Sequence, residues 1–474
     1  MNKDKIKKIF GIVLLVYAVF VVSFYFLSGE QLRYKESKGN IVMPEADSVT
    51  EEINNVTSVT QEFVNTVDNI EEIALVFTKF YREAEGKLTF YLIGDNRVLY
   101  RTTIDLSEVP EQHRVYITPE TPIRNVGGKT LKFVLRSNAE VNLGVAAMLK
   151  TEDVPETSFV YTNGEKINAT LCFSVTGTTE IVASNYYWLI MGSVGILLAL
   201  LFYKSLKDFE EGRVNYLIAG IRAVERYEFL ISQLVIRDFK SKYKRSILGI
   251  FWSFLNPLMT MTVQFLVFST LFGSDTVSYP IYLLSGVVCF SFFSECTTMC
   301  LTSISGNSRL ITKVYIPKYI FPLSRTISSS INLVISLVPL FLACLVLGIS
   351  LRPQALLFFY FLLCLVVFSL GIGLFLSALM VFFRDIQFLW TVLTQIWMYA
   401  TPIFYSAEII PDKFKFVVRL NPLYHFIGNA RTCLINGISP EPAAYIYCLL
   451  FALVSLLIGA ITFKKTQDKF ALYL

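Results

Sequence analysis

Residues 354–381 read QALLFFYFLLCLVVFSLGIGLFLSALMV, a run without one charged side chain. A helix needs about 20 apolar residues to cross the roughly 30 Å hydrocarbon core of a bilayer, and this stretch exceeds that length. Working outward from it, comparable runs fall near 9–27, 184–203, 250–272, 280–303, 327–349, 387–405 and 443–463. With 354–381 they make eight expected spans, six of them from residue 250 onward. The run at 387–405 is the weakest: Gln395 and Thr401 interrupt it and Pro402 follows, so a short or bent element is the alternative there. Hydrophobic residues make up 54% of the 474-residue chain and charged ones only 17%, against about a quarter in soluble domains. The fold class this implies is an α-helical integral membrane protein.

Orientation follows from the basic residues. If the N-terminus is cytoplasmic, the short cytoplasmic pieces hold 22 Lys and Arg and the short external pieces hold 5. Both termini are therefore expected inside the plasma membrane, with 28–183 extracellular. Lys3, Lys5, Lys7 and Lys8 precede the first run, but no small-residue cleavage site follows Ser28, so 1–27 reads as a retained signal anchor. The net charge of +5 says little as a total beside this placement, and no nucleic-acid partner is expected.

Region 28–183 has a different character. It begins with an acidic, polar, loose-looking stretch to about residue 57. Beyond it, Leu131, Phe133 and Leu135 alternate with Lys132, Val134 and Arg136, and Leu171, Phe173 and Val175 alternate with Cys172, Ser174 and Thr176. Period-two patterning marks strands with one buried face. Gly94-Asp95-Asn96, Gly127-Gly128 and Asn163-Gly164 supply turns between them. The expectation is an inserted all-β sandwich, similar in pattern to carbohydrate-binding jelly rolls. Tyr81, Tyr100 and Tyr161 are candidates for stacking on sugar rings or, alternatively, for packing at strand edges. Only Cys172 of the eight cysteines lies here, so no disulfide framework is implied, and Cys296 and Cys300 read as small buried hydrophobes. With His113 and His425 the only histidines, no metal site is expected.

After the span at 184–203, residues 204–249 form a cytoplasmic segment. Within it, 214–236 is amphipathic, with Leu217, Ile221, Val224, Ile231, Leu234 and Val235 on one face and Arg222, Glu225 and Arg226 away from it. Such a helix is expected to lie in the membrane surface. The basic run Arg237-Asp238-Phe239-Lys240-Ser241-Lys242-Tyr243-Lys244-Arg245 follows, which anionic headgroups alone could explain.

In order along the chain come Arg237-Asp238, Tyr243, Ser246, Leu248-Gly249, Trp252 and Asn256-Pro257. Then follow Leu284-Ser285-Gly286, Asn307, Ile311, Lys313, Tyr315-Ile316-Pro317, Phe383-Arg384-Asp385, Thr401-Pro402-Ile403, Tyr405-Ser406 and Asn421-Pro422. This ordered set resembles the membrane subunit of ABC-type exporters of polysaccharide, teichoic acid and O-antigen. The resemblance covers about 225–474, with 250–474 as a six-span permease core. Simple members of that family have six spans and no external sandwich, so the first 205 residues are an addition whose role the resemblance does not supply.

The resemblance implies a homodimer moved by a cytoplasmic ATP-binding cassette subunit in two copies. ATP and Mg would sit on that partner, and no cofactor on this chain. The loop 305–322, bounded by Pro317 and Pro322, has the length and internal apolar residues to dock on that motor, with Asn307, Arg309, Leu310, Lys313 and Tyr315 as coupling residues; an ordinary basic connector is the alternative. Arg237, Asp238, Lys240, Tyr243, Arg245 and Trp252 would form the cytoplasmic approach, and 406–442 an external gate of short re-entrant helices or, alternatively, a folded external loop. No G-x-x-x-x-G-K-[ST] phosphate loop occurs in the chain, consistent with a motor carried elsewhere.

Trp390, Trp397, Tyr399, Phe404 and Tyr405 cluster around the weakest span, either as a wall for a sliding sugar chain or as an interfacial aromatic belt. Glu295 is the one ionisable residue well inside the core spans, which disfavours an ion-coupled carrier. The expected function is export of a lipid-linked polysaccharide or teichoic-acid-like polymer. The alternative is a membrane glycosyltransferase or ligase acting on lipid-linked sugars, for which Glu408 and Asp412 are the nearest carboxylate pair. A small-molecule exporter is a third reading.

Overall fold

The computed structural model describes residues 3–39, 46–152, 154–155, 157–211, 213, 215–244, 246–249, 251–272, 278–314 and 316–473. It divides into a helical unit, 1–32 with 188–474, and an all-β unit, 33–187.

The β unit is built from two antiparallel sheets. One runs in the order β1 (Tyr34–Gly39), β13 (Phe173–Glu180), β4 (Asn69–Thr78), β9 (Ala146–Lys150), β12 (Thr170–Leu171), with β2 (Ser48–Val49) on β9 and β7 (Arg114–Ile117) on β4. The other runs β11 (Glu165–Ile167), β10 (Ser158–Thr162), β3 (Val59–Val64), β8 (Thr130–Ser137), β5 (Lys87–Gly94), β6 (Arg97–Asp105). The alternation expected at 131–136 holds, because Leu131, Phe133 and Leu135 are fully buried between the sheets. Phe173 from the first sheet meets Phe63 and Phe133 from the second at ring separations of 5.0 and 5.1 Å.

Gln61 also points into this core, yet its amide is satisfied. Nε2 donates to Ser158 Oγ at 2.7 Å, and Oε1 accepts from the Leu171 amide at 2.8 Å, linking the two sheets. Asp95-Asn96 and Asn163-Gly164 make two-residue hairpin turns with all four residues at positive φ.

The stretch read as loose to residue 57 contains β1 and β2. Tyr34–Gly39 shows no alternation, and it is held as a strand by pairing with β13 along its whole length. On the outer face of the six-stranded sheet one register row runs Lys166, Tyr161, Thr60, Val134, Tyr91, Arg101. Tyr161 is on this face, Tyr100 turns inward against the core, and Tyr81 stands 84% exposed in a turn.

The helical unit opens with α1 (Lys3–Ser28) and resumes, after the short α2 (Val182–Asn185) of the β unit, with α3 (Tyr187–Glu210) and α4 (Tyr216–Tyr243). Then come α5 (Phe251–Phe272), α6 (Tyr279–Leu301), the short α7 (Ser308–Ile311), α8 (Ile320–Val346), α9 (Phe358–Phe382) and α10 (Ile386–Ala400). Two short helices, α11 (Asp412–Arg419) and α12 (Pro422–Arg431), lead to α13 (Pro442–Thr466) and the terminal α14 (Phe470–Tyr473).

Among the described residues, seven helices are long and apolar enough to cross a membrane: α1, α3, α5, α6, α8, α9 and α13. The eighth expected span becomes α10, whose 15 residues reach only about 22 Å. It stops at Ala400 because Pro402 offers no amide hydrogen to continue the ladder.

Two further boundaries differ from expectation. Helix α4 runs to Tyr243, so most of the basic run is its last turns rather than a separate segment. Helix α8 begins at Ile320, because Pro322 sits in its first turn, where no amide partner is needed. Arg325, which lies between the expected loop 305–322 and the expected span 327–349, is therefore helical.

Helices α9 and α13 approach most closely where side chains are absent. A Cβ on Gly459 would strike the Gly371 carbonyl oxygen, and one on Gly371 would strike the Ser455–Leu456 backbone. Ser455 Oγ donates to the Phe368 carbonyl at 2.9 Å across the same seam. Gly459→Val is expected to cost about 1–3 kcal/mol by overpacking, read as a lowered thermal unfolding midpoint of the full chain in detergent. Gly192→Val, with nothing within 4 Å of its Cβ position, should leave the midpoint unchanged.

Candidate functional site

Tyr227, Leu230, Ile231 and Leu234 recur at helical spacing along α4 and pack on a cluster that includes Ile304, Phe321, Leu374, Phe463 and Phe470. One turn further, the same face presents Asp238, which is 5% exposed. A carboxylate buried there needs partners, since an unpaired buried charge costs several kcal/mol. Arg237 supplies two donors, Nε at 3.1 Å and Nη2 at 3.0 Å from Asp238 Oδ1. From α8, Arg325 Nη1 stands 3.1 Å from Oδ2 as an ion pair, without hydrogen-bond alignment.

The remaining donors of this group reach the connector between α6 and α8. Arg237 Nη1 donates to Asn307 Oδ1 at 3.0 Å, and Asn307 Nδ2 donates to the Ser303 carbonyl at 2.7 Å. Lys242, one turn beyond Asp238, donates to both oxygens of Glu295 on α6 at 2.8 and 2.9 Å. Asn332 Nδ2 of α8 donates to the same carboxylate at 2.8 Å. So α4, the connector, α6 and α8 meet at one polar junction around a cleft of about 590 Å³.

Of the residues assigned to coupling, Asn307 is buried in this junction and Leu310 packs inward on the α4 cluster, whereas Arg309 and Lys313 face outward. Of the residues assigned to the approach, Arg237 and Asp238 pair with each other, Lys240 and Trp252 are exposed, and Tyr243 closes α4. Arg245 and Tyr315 lie outside the described residues, as do the side chains of Tyr243, Glu408 and Asp412. Arg325 and Asn332 were not foreseen. Their signal is weak, because both lie in a polar stripe of α8 (Ser324, Thr326, Ser328, Ser329) that reads as loop and span at once.

The aromatic cluster divides. Trp390 is buried, its Nε1 donating to Thr297 Oγ1 at 3.2 Å, and Phe404 is 4% exposed. Trp397 Nε1 donates to Asn421 Oδ1 at 2.8 Å, while Asn421 Nδ2 donates to Thr401 Oγ1 at 2.8 Å. The same Asn421 oxygen caps α12 by accepting from the Leu423 amide at 3.1 Å. Tyr399 is exposed, and its carbonyl accepts from Tyr405 Oη at 2.8 Å. Among the described residues, no group of three or more His, Cys, Asp or Glu could hold a metal ion.

The two ion pairs differ in burial, so their energies should differ. Asp238 and Arg325 side chains are 3% and 21% exposed, against 39% and 31% for Lys242 and Glu295. Double-mutant cycles to alanine, read as unfolding midpoints, should give a coupling of about 1–3 kcal/mol for Asp238–Arg325 and below about 1 kcal/mol for Lys242–Glu295. Equal couplings would contradict the ranking.

Residues 230–435 match the ABC-2 type transporter family. The chain is 28% identical over 250 residues to the O-antigen export system permease protein RfbA of Klebsiella pneumoniae, covering 51% of this chain and 95% of that protein. It is 28% identical over 261 residues to RfbA of Myxococcus xanthus, covering 54% and 99%. It is 22% identical over 244 residues to the polysialic acid transport protein KpsM of Escherichia coli, covering 50% and 93%. These relatives are transport proteins, so the transferase or ligase reading is set aside. Residues 230–435 of the helical unit are thus an ABC-2 type transporter membrane domain, similar in sequence to permeases of polysaccharide export, on a chain that also carries an N-terminal β domain.

Proposed function

We propose that this chain is the membrane path of an ATP-driven exporter for a lipid-linked polysaccharide or a teichoic-acid-like polymer. Two copies would face each other, each docked by a cytoplasmic ATP-binding subunit at the connector. The outward Arg309 and Lys313 then meet the motor, and the inward Asn307 relays its displacement through Arg237 to α4 and α8. The observation that carries this reading is the Arg237–Asn307 hydrogen bond, which ties the connector to the buried Asp238 pair. Export runs from this junction toward the end of α10, where the exposed Tyr399 offers a ring face to a passing sugar.

The β unit supports a glycan role by its outer sheet face. The row from Lys166 to Arg101 sets Tyr161 and Tyr91 among cations, with Lys166 Nζ 3.5 Å from the centre of the neighbouring Phe159 ring. Aromatic faces with flanking donors suit a carbohydrate chain.

The chain reconstituted with its ATP-binding partner should hydrolyse ATP, and the chain alone should not. Asn307→Ala should leave the partner's basal hydrolysis within about twofold while cutting polymer export at least fivefold. Parallel loss of both activities would indicate failed assembly instead, and full export by the variant would refute the relay. Arg309→Glu with Lys313→Glu should weaken partner binding in a pull-down.

A further inference from the structure

Arg431, at the end of α12, is 7% exposed, and every partner it has among the described residues is neutral. Nη1 donates to the Pro402 carbonyl at 2.8 Å, Nη2 to the carbonyls of Tyr282 at 2.8 Å and Ile403 at 3.1 Å, and Nε to Ser285 Oγ at 3.3 Å. The guanidinium lies over the Tyr282 ring, 3.5 Å from its centre. Gly286 makes the room: a Cβ there would collide with Arg431 Nη2.

These bonds engage four of the five guanidinium N–H groups and none of them cancels the charge. Among the described residues, no carboxylate approaches it. Asp238, by contrast, about 20 Å away along α6, is a buried ion with two opposite charges in contact. A buried cation without a counterion is costly, and in membrane proteins such groups are retained for function.

Beside Arg431 opens a cleft of about 400 Å³, the size of a small-ligand site, lined in part by Tyr282, Thr401, Ser406, Tyr424, Thr432 and Asn436. Its wall includes a π-helical turn, Thr432–Asn436, ended by Gly437 at φ 63°, and such turns are frequent at functional sites.

The geometry points to an anion-binding subsite: the Arg431 cleft takes a phosphate or carboxylate group, supplied by the exported polymer or by a lipid headgroup. The remaining Nη1 hydrogen and the surrounding hydroxyl and amide groups coordinate it, and the anion completes the neutralisation that the described residues leave open. The polymer as source rests on the export reading above; binding itself does not.

The test uses the full chain in phosphatidylcholine nanodiscs, without partner or nucleotide, so a failed export assay and a failed binding assay remain separate results. Glucose 1-phosphate is titrated against glucose while hydrogen exchange of 401–406 and 422–436 is followed. In a second arm, phosphatidylglycerol replaces phosphatidylcholine and no soluble ligand is added. Slowed exchange with glucose 1-phosphate but not glucose assigns the anion to a soluble sugar phosphate; slowed exchange only with phosphatidylglycerol assigns it to the headgroup.

In whichever arm responds, Arg431→Gln and Asn436→Asp should each weaken the response at least tenfold. Asn436 is exposed and takes no part in holding the 402–403 carbonyls, so its variant decides the matter if Arg431→Gln does not fold. Protection in neither arm, equal protection by glucose, or an unchanged response in Asn436→Asp overturns the proposal.

Discussion

Hydrocarbon accepts no hydrogen bonds, so every polar group that the helical unit withdraws from water must find its partner within the protein. This constraint explains the arrangement at both ends of α6. Where α10 stops short, the backbone from Pro402 to Tyr405 has no helical ladder. Its carbonyls are taken up one by one: Tyr279 Oη donates to Phe404 at 2.7 Å, Tyr282 Oη donates to Tyr405 at 2.8 Å, and Arg431 serves Pro402 and Ile403. At the opposite end, the same demand collects Arg237, Arg325 and Asn307 around Asp238. Irregular backbone and buried ions are tolerated only where neighbouring elements bring the donors.

The ordered sequence motifs acquire physical roles in this light. Leu284-Ser285-Gly286 supplies an acceptor for Arg431 and the space it occupies. Thr401-Pro402 ends α10, and Asn421-Pro422 both caps α12 and links it to Trp397. Arg237-Asp238 is a structural pair with one member inside and one at the rim. These are positions where a change of residue type removes a partner rather than a contact area.

How much of this was legible in the sequence depended on whether the signal was local. The spans at 354–381 and 443–463 and the alternation at 131–136 are local patterns, and the elements formed there. Asp238 was recoverable from spacing, since it lies on the stripe of Tyr227, Leu230, Ile231 and Leu234. Arg325 was obscured because Pro322 looks like a boundary and is in fact a first-turn residue. Strand β1 carried no pattern of its own, because its partner β13 supplies the order. Arg431 read as one more basic residue of an external loop. Its acceptors come from positions 282, 285, 402 and 403, a coincidence that only folding creates.

The pairing of β1 with β13 has one more implication. Tyr34 stands opposite Glu180 in the register, so the chain enters and leaves the β unit on adjacent antiparallel strands, roughly 5 Å apart. A segment with its two ends side by side behaves as a cassette: it can be spliced out and the gap bridged by a few residues, without rethreading what precedes or follows. Gain or loss of the whole sandwich therefore demands little of the surrounding polypeptide beyond a short bridge.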